Sequence, residues 1–351
     1  MAPFTIATGT MHFAQNLFIR VHTDQGIYGV GECSAFPMIV GETQATCFEM
    51  AKEFAALWKD KDATALDERI DELHRFTAFN STCKSAFDMA LYDLAGKTQG
   101  IPVYQLLGGT NRVLETDITI GIDVAAAMAD KAAAYVQDGA RILKIKVGKN
   151  AEEDIYRVEQ IRERIGNDIK LRIDANQGWN YEDAVFALTG MDRYDIQFCE
   201  QPLRTWNDHL LPDLRRSVPI PIMADESVFN AHDAARLIRE DACSYVNIKF
   251  AKSGGIHEAI KINSVCANAS IPCMIGGMLE TRLALTAFAH FALAHENIQF
   301  HDMDTCLIGH KVNPVIGGIR YEGLMIHVPE GPGLAADVDD AFLDTCERFT
   351  V

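Results

Sequence analysis

Between about residue 115 and residue 303 the chain alternates between two hydrophobic patterns. Short β-rich runs at 116–122, 142–147, 171–175, 197–200, 221–224, 245–249, 273–276 and 299–303 are followed by polar turns and longer stretches with helical spacing. Several of the runs are apolar throughout, as strands buried on both faces of a parallel sheet should be. The stretches between them carry the complementary stripe. Ile155, Val158, Ile161 and Ile165 fall on one helical face. Ala184, Val185, Leu188 and Met191 form another, behind an Asn180 cap with Asp183 in its first turn. Asn230 is placed to cap a helix bearing Ala234, Leu237 and Ile238. Eight strands alternating with helices predict a (β/α) barrel, whose active site sits at the C-terminal strand ends.

Residues 1–110 read differently. The segments 17–22 and 27–31 alternate like an antiparallel hairpin around Asp24-Gln25-Gly26, and helical stretches follow at 43–58, 65–76 and 81–97. The expected division is an α+β capping domain over 1–112, a catalytic barrel over 113–311, and a segment over 312–351 packing back onto the cap. Gly26, Gly29 and Gly31 lie in the hairpin with no βαβ unit around them, so they are not a nucleotide loop.

Composition narrows the function classes. A net charge of −17 argues against a nucleic-acid partner, because phosphate binding needs clustered Lys and Arg. Nine cysteines without a C-x-x-C pair read as small buried hydrophobes in a reducing compartment. The start, MAPFTIATGT, lacks the basic and apolar regions of a signal peptide. The most apolar stretch, 283–294, is too short to span a bilayer and carries His290, so it reads as a core helix and no membrane partner is expected. The expectation is a cytoplasmic homo-oligomer acting on a small molecule.

What ends each barrel strand carries the chemistry. The second strand ends in Lys144-Ile145-Lys146, the third in Asp174, the fourth in Glu200, the fifth in Asp225 and the sixth in Lys249. From Lys146 the separations are 28, 26, 25 and 24 residues, about one βα unit each. Charged groups at equivalent positions of neighbouring strands converge on one mouth. A single Asp at a strand end is often only a helix cap, but five such residues in sequential register are not explained that way. Three converging carboxylates repel in low dielectric, so a metal is the economical explanation. Oxygen ligation without a Cys or His pair favours Mg²⁺ or Mn²⁺ over zinc.

The segments LKIKVG (143–148), RIDANQGW (172–179), CEQPL (199–203), MADES (223–227) and NIKFAKSGGI (247–256) resemble the enolase superfamily, in particular its muconate-lactonizing-enzyme subgroup. SAFDMALYDLAGK (85–97) and VYQLLGG (103–109) resemble the same subgroup's last capping helix and the lead-in to its barrel. The resemblance covers nearly the whole chain. It implies an α/β fold, a modified TIM-type (β/α)7β barrel with an α+β capping domain. It implies that Asp174, Glu200 and Asp225 bind Mg²⁺, which chelates a substrate carboxylate. Lys146 and Lys249 would be the acid/base pair on opposite faces of the substrate α-carbon, with Lys144 close by. Sites of this kind use a Lys or His base beside one or two Mg²⁺ ions.

The subgroup contains cycloisomerases, o-succinylbenzoate synthases, N-acylamino-acid racemases and dipeptide epimerases. Asp302-Met303-Asp304 after the eighth strand favours the last of these. Two carboxylates at i, i+2 point the same way and suit an α-ammonium, which muconate and succinylbenzoate lack. The pair resembles the D-x-D feature that holds a dipeptide's amine. Resemblance also places Thr119 and Gly277 to Leu279 in the substrate pocket, with Glu280 and Asn176 as supports. Two departures stand out. The family has a further strand before residue 1, and Ala-Glu epimerases carry a capping-loop arginine where this chain has Gly9. With 36–40 reading Phe-Pro-Met-Ile-Val, the expected dipeptide has a small or hydrophobic second residue.

Overall fold

The computed structural model describes all 351 residues, Met1–Val351. The chain opens with a short ribbon, β1 (Phe4–Ile6) against β2 (Gly9–Met11), which the hydrophobic pattern did not announce. The predicted hairpin follows, longer than expected: β3 (Gln15–His22) pairs with β4 (Tyr28–Ala35) along its full length. Two of its glycines have a packing reason. A Cβ at Gly29 or Gly31 would sit 1.9 Å from the carbonyl oxygen of Ala90 or Ala86, so only glycine lets β4 lie this close to the Ser81–Gln99 helix. The helices Gln44–Trp58 and Leu66–Phe76 complete the cap, the first started by a capping box at Thr43.

A two-residue strand, β5 (Leu114–Glu115), leads into the barrel. Its strands are β6 (Ile118–Ile120), β7 (Ile142–Lys146), β8 (Lys170–Asp174), β9 (Ile196–Glu200), β10 (Ile222–Ala224), β11 (Tyr245–Ile248), β12 (Cys273–Gly276) and β13 (Ile298–Asp302). They lie in sequential order, all parallel. Seven helical connections join the eight strands and no helix follows β13 within the barrel, the (β/α)7β form. Asn180 caps through Asp183 N and Asn230 through His232 and Asp233 N, as expected. The register pairs Lys146 with Asp174, and Asp174 with Glu200, so the charged strand ends stand level.

The seam between β6 and β13 closes through side chains as well as backbone. Asp117 N donates to His301 O (3.2 Å), Met303 N to Thr116 Oγ1 (2.8 Å) and Thr119 N to Asp304 Oδ2 (2.6 Å). Beyond the barrel, β14 (Val315–Gly317) pairs with a later strand, Ala336–Val338, while Arg320–Glu322, Met325–His327 and β5 form a small sheet. Asp337 returns to the hairpin, 2.9 Å from Arg20. The ribbon rests on the barrel mouth: Ile122 N donates to Thr5 O at 2.8 Å. There Phe4, Ile6, Met11, Phe36, Met278 and Leu279 make an apolar cluster separate from the main core. The Arg282–Ala294 helix is the buried core helix expected, and His290 within it accepts from Tyr104 N through Nδ1 at 3.1 Å. No helix is long and apolar enough to cross a membrane. None of the nine cysteines is bonded to another; seven are buried, but Cys306 is only half-buried and Cys346 is exposed.

Candidate active site

Parallel strands of matched length deliver their last side chains to one level, and here seven charged groups arrive together. Lys144 and Lys146 end β7, Asp174 ends β8, Glu200 ends β9, Asp225 and Lys249 follow β10 and β11, and Asp302 ends β13. All are buried, the most open being Lys146 at 8% exposure. Lys146 Nζ lies 2.6 Å from Asp174 Oδ2 and Lys249 Nζ 2.9 Å from Asp225 Oδ2. Lys144 Nζ stands among three carboxylates: Glu200 Oε2 at 2.7 Å, Asp302 Oδ2 at 2.8 Å and Asp174 Oδ2 at 3.2 Å. The structure therefore brings together every metal and lysine position expected from sequence. Lys146 and Lys249, on the second and sixth of eight strands, come from opposite sides of the barrel.

Burial disfavours charge on each of these groups, and their partners restore it. Lys249 is pushed down by burial, but Asp225 and Glu200 outweigh that and leave it raised. Lys144 is raised likewise by Asp302, Glu200 and Asp174 against its burial. Burial also opposes charge on Asp225, yet Lys249 and Lys252 hold it well below the usual carboxylate range. Glu200 is pushed up to about 7 by burial and by Asp174. A lysine raised in this way cannot accept a proton until another cation takes over the carboxylates. The donor set fits a divalent cation: it is all carboxylate oxygen, and Glu200 Oε2 and Asp225 Oδ2, though close to ammonium groups, lie outside hydrogen-bond alignment.

The tightest trio of carboxylates is a different one. Asp117, Asp302 and Asp304 each bring an oxygen within 4.8 Å of the others. Arg172 pairs with Asp117 at 2.8 Å and Lys144 with Asp302, so three negative charges face two positive ones. That leaves the trio one negative charge in excess, which suits a cation. Burial and Asp302 push Asp304 well above the usual range and Asp117 up to about 7, and one oxygen of each lacks a partner. The arrangement resists its third negative charge until a cation is present.

The remaining expected pocket residues are near but unlike in role. Thr119 presents its backbone N–H to Asp304. Gly277 N donates to Asp302 O at 3.0 Å, and Leu279 is buried in the apolar cluster. Glu280, pushed up to about 8 by burial and Glu32, shapes that loop by accepting from Met278 N at 2.5 Å. Asn176 N donates to Asp174 Oδ1 at 2.9 Å. A Cβ on Gly9 would meet Met38 Sδ at 3.2 Å, so an apolar side chain stands at the position where an Ala-Glu epimerase is expected to carry its capping-loop arginine. Sequence reasoning passed over Asp117, Arg172, Asn247 and Lys252. Asn247 lies two residues before Lys249 on one strand face, a signal that was available; Asp117 and Arg172 meet only across the closed barrel.

Residues 127–342 match the family described as enolase C-terminal domain-like, and residues 1–108 match the mandelate racemase/muconate lactonizing enzyme N-terminal domain. A D-Ala-D/L-Ala epimerase from Cytophaga hutchinsonii is 41% identical over 99% of this chain and 95% of its own length. A hydrophobic dipeptide epimerase from Enterococcus faecalis is 41% identical over 94% of each chain. The crystal structure of a Cytophaga hutchinsonii dipeptide epimerase, complexed with Mg and D-Ala-L-Val, superposes with a TM-score of 0.96 at 41% identity, covering 98% of this chain and 94% of that one. With both halves of the fold matched in order, this chain belongs to the mandelate racemase/muconate lactonizing enzyme family of the enolase superfamily.

Proposed function

We infer that the protein is a Mg²⁺-dependent dipeptide epimerase that inverts the α-carbon of the C-terminal residue. The observation that carries this reading is the pair Lys146 and Lys249, four strands apart in an eight-stranded barrel with Asp174, Glu200 and Asp225 between them. Groups on opposite sides of a bound α-carbon let one lysine remove its proton and the other return a proton to the opposite face. Asp174, Glu200 and Asp225 would hold Mg²⁺, which when bound would supply positive charge to the substrate carboxylate. Lys144, tied to Glu200 and Asp302, adds a fixed cation beside that carboxylate. Asp302 and Asp304, joined by Asp117, take the substrate ammonium and so fix the α-carbon between the lysines. In this reading residues 1–112 are the cap over the substrate, 113–311 the catalytic barrel and 312–351 a strap between them.

The second residue of the dipeptide is small or hydrophobic. Its support is the apolar cluster of the ribbon, Phe36 and Leu279 over the mouth, with Met38 at Gly9. The names of the Cytophaga and Enterococcus relatives point the same way. The absence of disulfides suits a reducing, cytoplasmic setting. An N-succinyl-L-Arg/Lys racemase from Bacillus cereus, 32% identical over 99% of this chain, makes N-acylamino-acid racemisation the second reading. The test is a dipeptide and N-acylamino-acid library incubated in D₂O, read by mass spectrometry with Mg²⁺ present and then chelated. Deuterium should enter the C-terminal residue of dipeptides such as Ala-Ala and Ala-Val, only with Mg²⁺. Preferential labelling of Ala-Glu defeats the substrate preference, and labelling of N-acylamino acids alone defeats the dipeptide reading.

A further inference from the structure

Four lysines are buried at the barrel mouth, and one of them does not face its centre. We propose that Lys252 is a positioning residue for the metal site, fixing Asp225 directly and Glu200 through Asn247. The inference rests on Asp174, Glu200 and Asp225 being the metal ligands, as above.

Each of those carboxylates has two unlike oxygens. One faces the lysines that ring the mouth: Asp174 Oδ2, Glu200 Oε2 and Asp225 Oδ2. The other is tethered from behind. Asp174 Oδ1 accepts from Asn176 N at 2.9 Å, Glu200 Oε1 from Asn247 Nδ2 at 2.7 Å, and Asp225 Oδ1 lies 2.5 Å from Lys252 Nζ. Two tethers are neutral amides; the third is an ammonium. Its Nζ donates to the Asp225 carbonyl and, at 3.1 Å, to the Asn247 carbonyl, and it pairs ionically with Asp225 Oδ1, so its polar contacts are all with the protein's own strand ends. Lys249, by contrast, has one carboxylate oxygen closer than 3.9 Å, Asp225 Oδ2.

The local fold explains the separation. Lys249 is the N-cap of a single helical turn, Phe250–Ser253, and Lys252 N donates to Lys249 O at 3.0 Å. That turn brings Lys252 back under the strand ends. Gly254 and Gly255, at φ +91° and +118°, then carry the chain away in a conformation that side chains disfavour. Asn247 is fixed on its other side by β12, where a Cβ on Gly276 would come within 2.7 Å of its Oδ1. Lys252 thus braces the strand end that aims Glu200 as well as the carboxylate of Asp225.

Two lysines touch the same aspartate, which gives a controlled test. Mg²⁺ affinity is measured by isothermal titration calorimetry on the purified full chain without substrate. Lys252→Met should weaken binding by about 10- to 100-fold, the effect of losing a partner that orients a ligand. Lys249→Met removes the same charge from the other oxygen, the one facing the metal, and should leave binding as tight as wild type or tighter. Binding by Lys252→Met within about threefold of wild type, or no weaker than by Lys249→Met, overturns the proposal. Lys252→Gln, which keeps two donors, covers a failure of the Met variant to fold. On wild-type protein, lysine ¹⁵Nζ NMR should show Mg²⁺ shifting the Lys249 ammonium while the Lys252 ammonium stays protected from exchange; release of Lys252 by Mg²⁺ also overturns it. A wild type that binds no Mg²⁺, or binding unaffected by Asp225→Asn, refutes the metal site itself and not only the role of Lys252.

Discussion

Asp302→Asn takes one charge and almost no volume from a pocket whose formal balance is −1, three carboxylates against Arg172 and Lys144. The balance becomes zero, and a substrate ammonium arriving there meets no net attraction. At a separation of about 4 Å and an effective dielectric constant near 20, one such charge pair is worth about 4 kcal/mol. With Asp302 only 4% exposed, water screens little of that. The loss amounts to about three decades in kcat/KM. The ammonium is bound alike in ground and transition states, so the loss should fall on KM more than on kcat. Lys144 keeps Glu200 at 2.7 Å and Asp174 at 3.2 Å, so it stays in place. The assay follows epimerisation of Ala-Val and of N-acetyl-Ala-Val by chiral mass spectrometry. Wild type should disfavour the acetylated substrate strongly, and Asp302→Asn should close most of the gap. A variant with wild-type kcat/KM on Ala-Val, or a wild type indifferent to acetylation, refutes the reasoning.

Lys146→Ala and Lys249→Ala should each abolish α-carbon deuterium exchange from one epimer while sparing some from the other; retention of both exchanges in both variants excludes the two-lysine scheme. Gly31→Ala puts a Cβ 1.9 Å from Ala86 O, so β4 must leave the Ser81–Gln99 helix. Overpacking of this kind costs about 1–3 kcal/mol or more, and a melting temperature equal to wild type would contradict it. His290 is buried and pushed down to about 4 by desolvation, against about 6.5 in the unfolded chain. Between those values the unfolded chain binds a proton that the native state does not, so this group's contribution to stability falls as pH falls, by about 2 kcal/mol at pH 5. Imidazole NMR should find His290 neutral in the folded protein at pH 5, and titration near 6.5 would refute the assignment.

The barrel and its charged rim were readable in the sequence because a βα unit has a nearly constant length. Strand ends therefore recur at a spacing that counting detects, and Lys146, Asp174, Glu200, Asp225 and Lys249 stand out by position alone. The N-terminal ribbon was not readable, since strands of three residues are shorter than any window in which period 2 can be told from chance. Lys252 lies inside the segment NIKFAKSGGI, yet its role depends on a four-residue helical turn that folds it back on Asp225. The Asp117–Arg172 pair joins residues 55 apart across a closed sheet, a relation that no local pattern encodes.

The β6–β13 seam has a kinetic consequence. Elsewhere around the barrel neighbouring strands are joined by backbone ladders, with register shifts at β8–β9 and β12–β13, but the amide of Thr119 is held by the carboxylate of Asp304. Its hydrogen exchange therefore reports on a side chain, and one that shares its pocket with Asp302 and Asp117. Protection at Thr119 should rise when a cationic ligand settles that pocket and fall when Asp304 is replaced. Closure of the barrel and recognition of the ligand are then read out by a single amide proton.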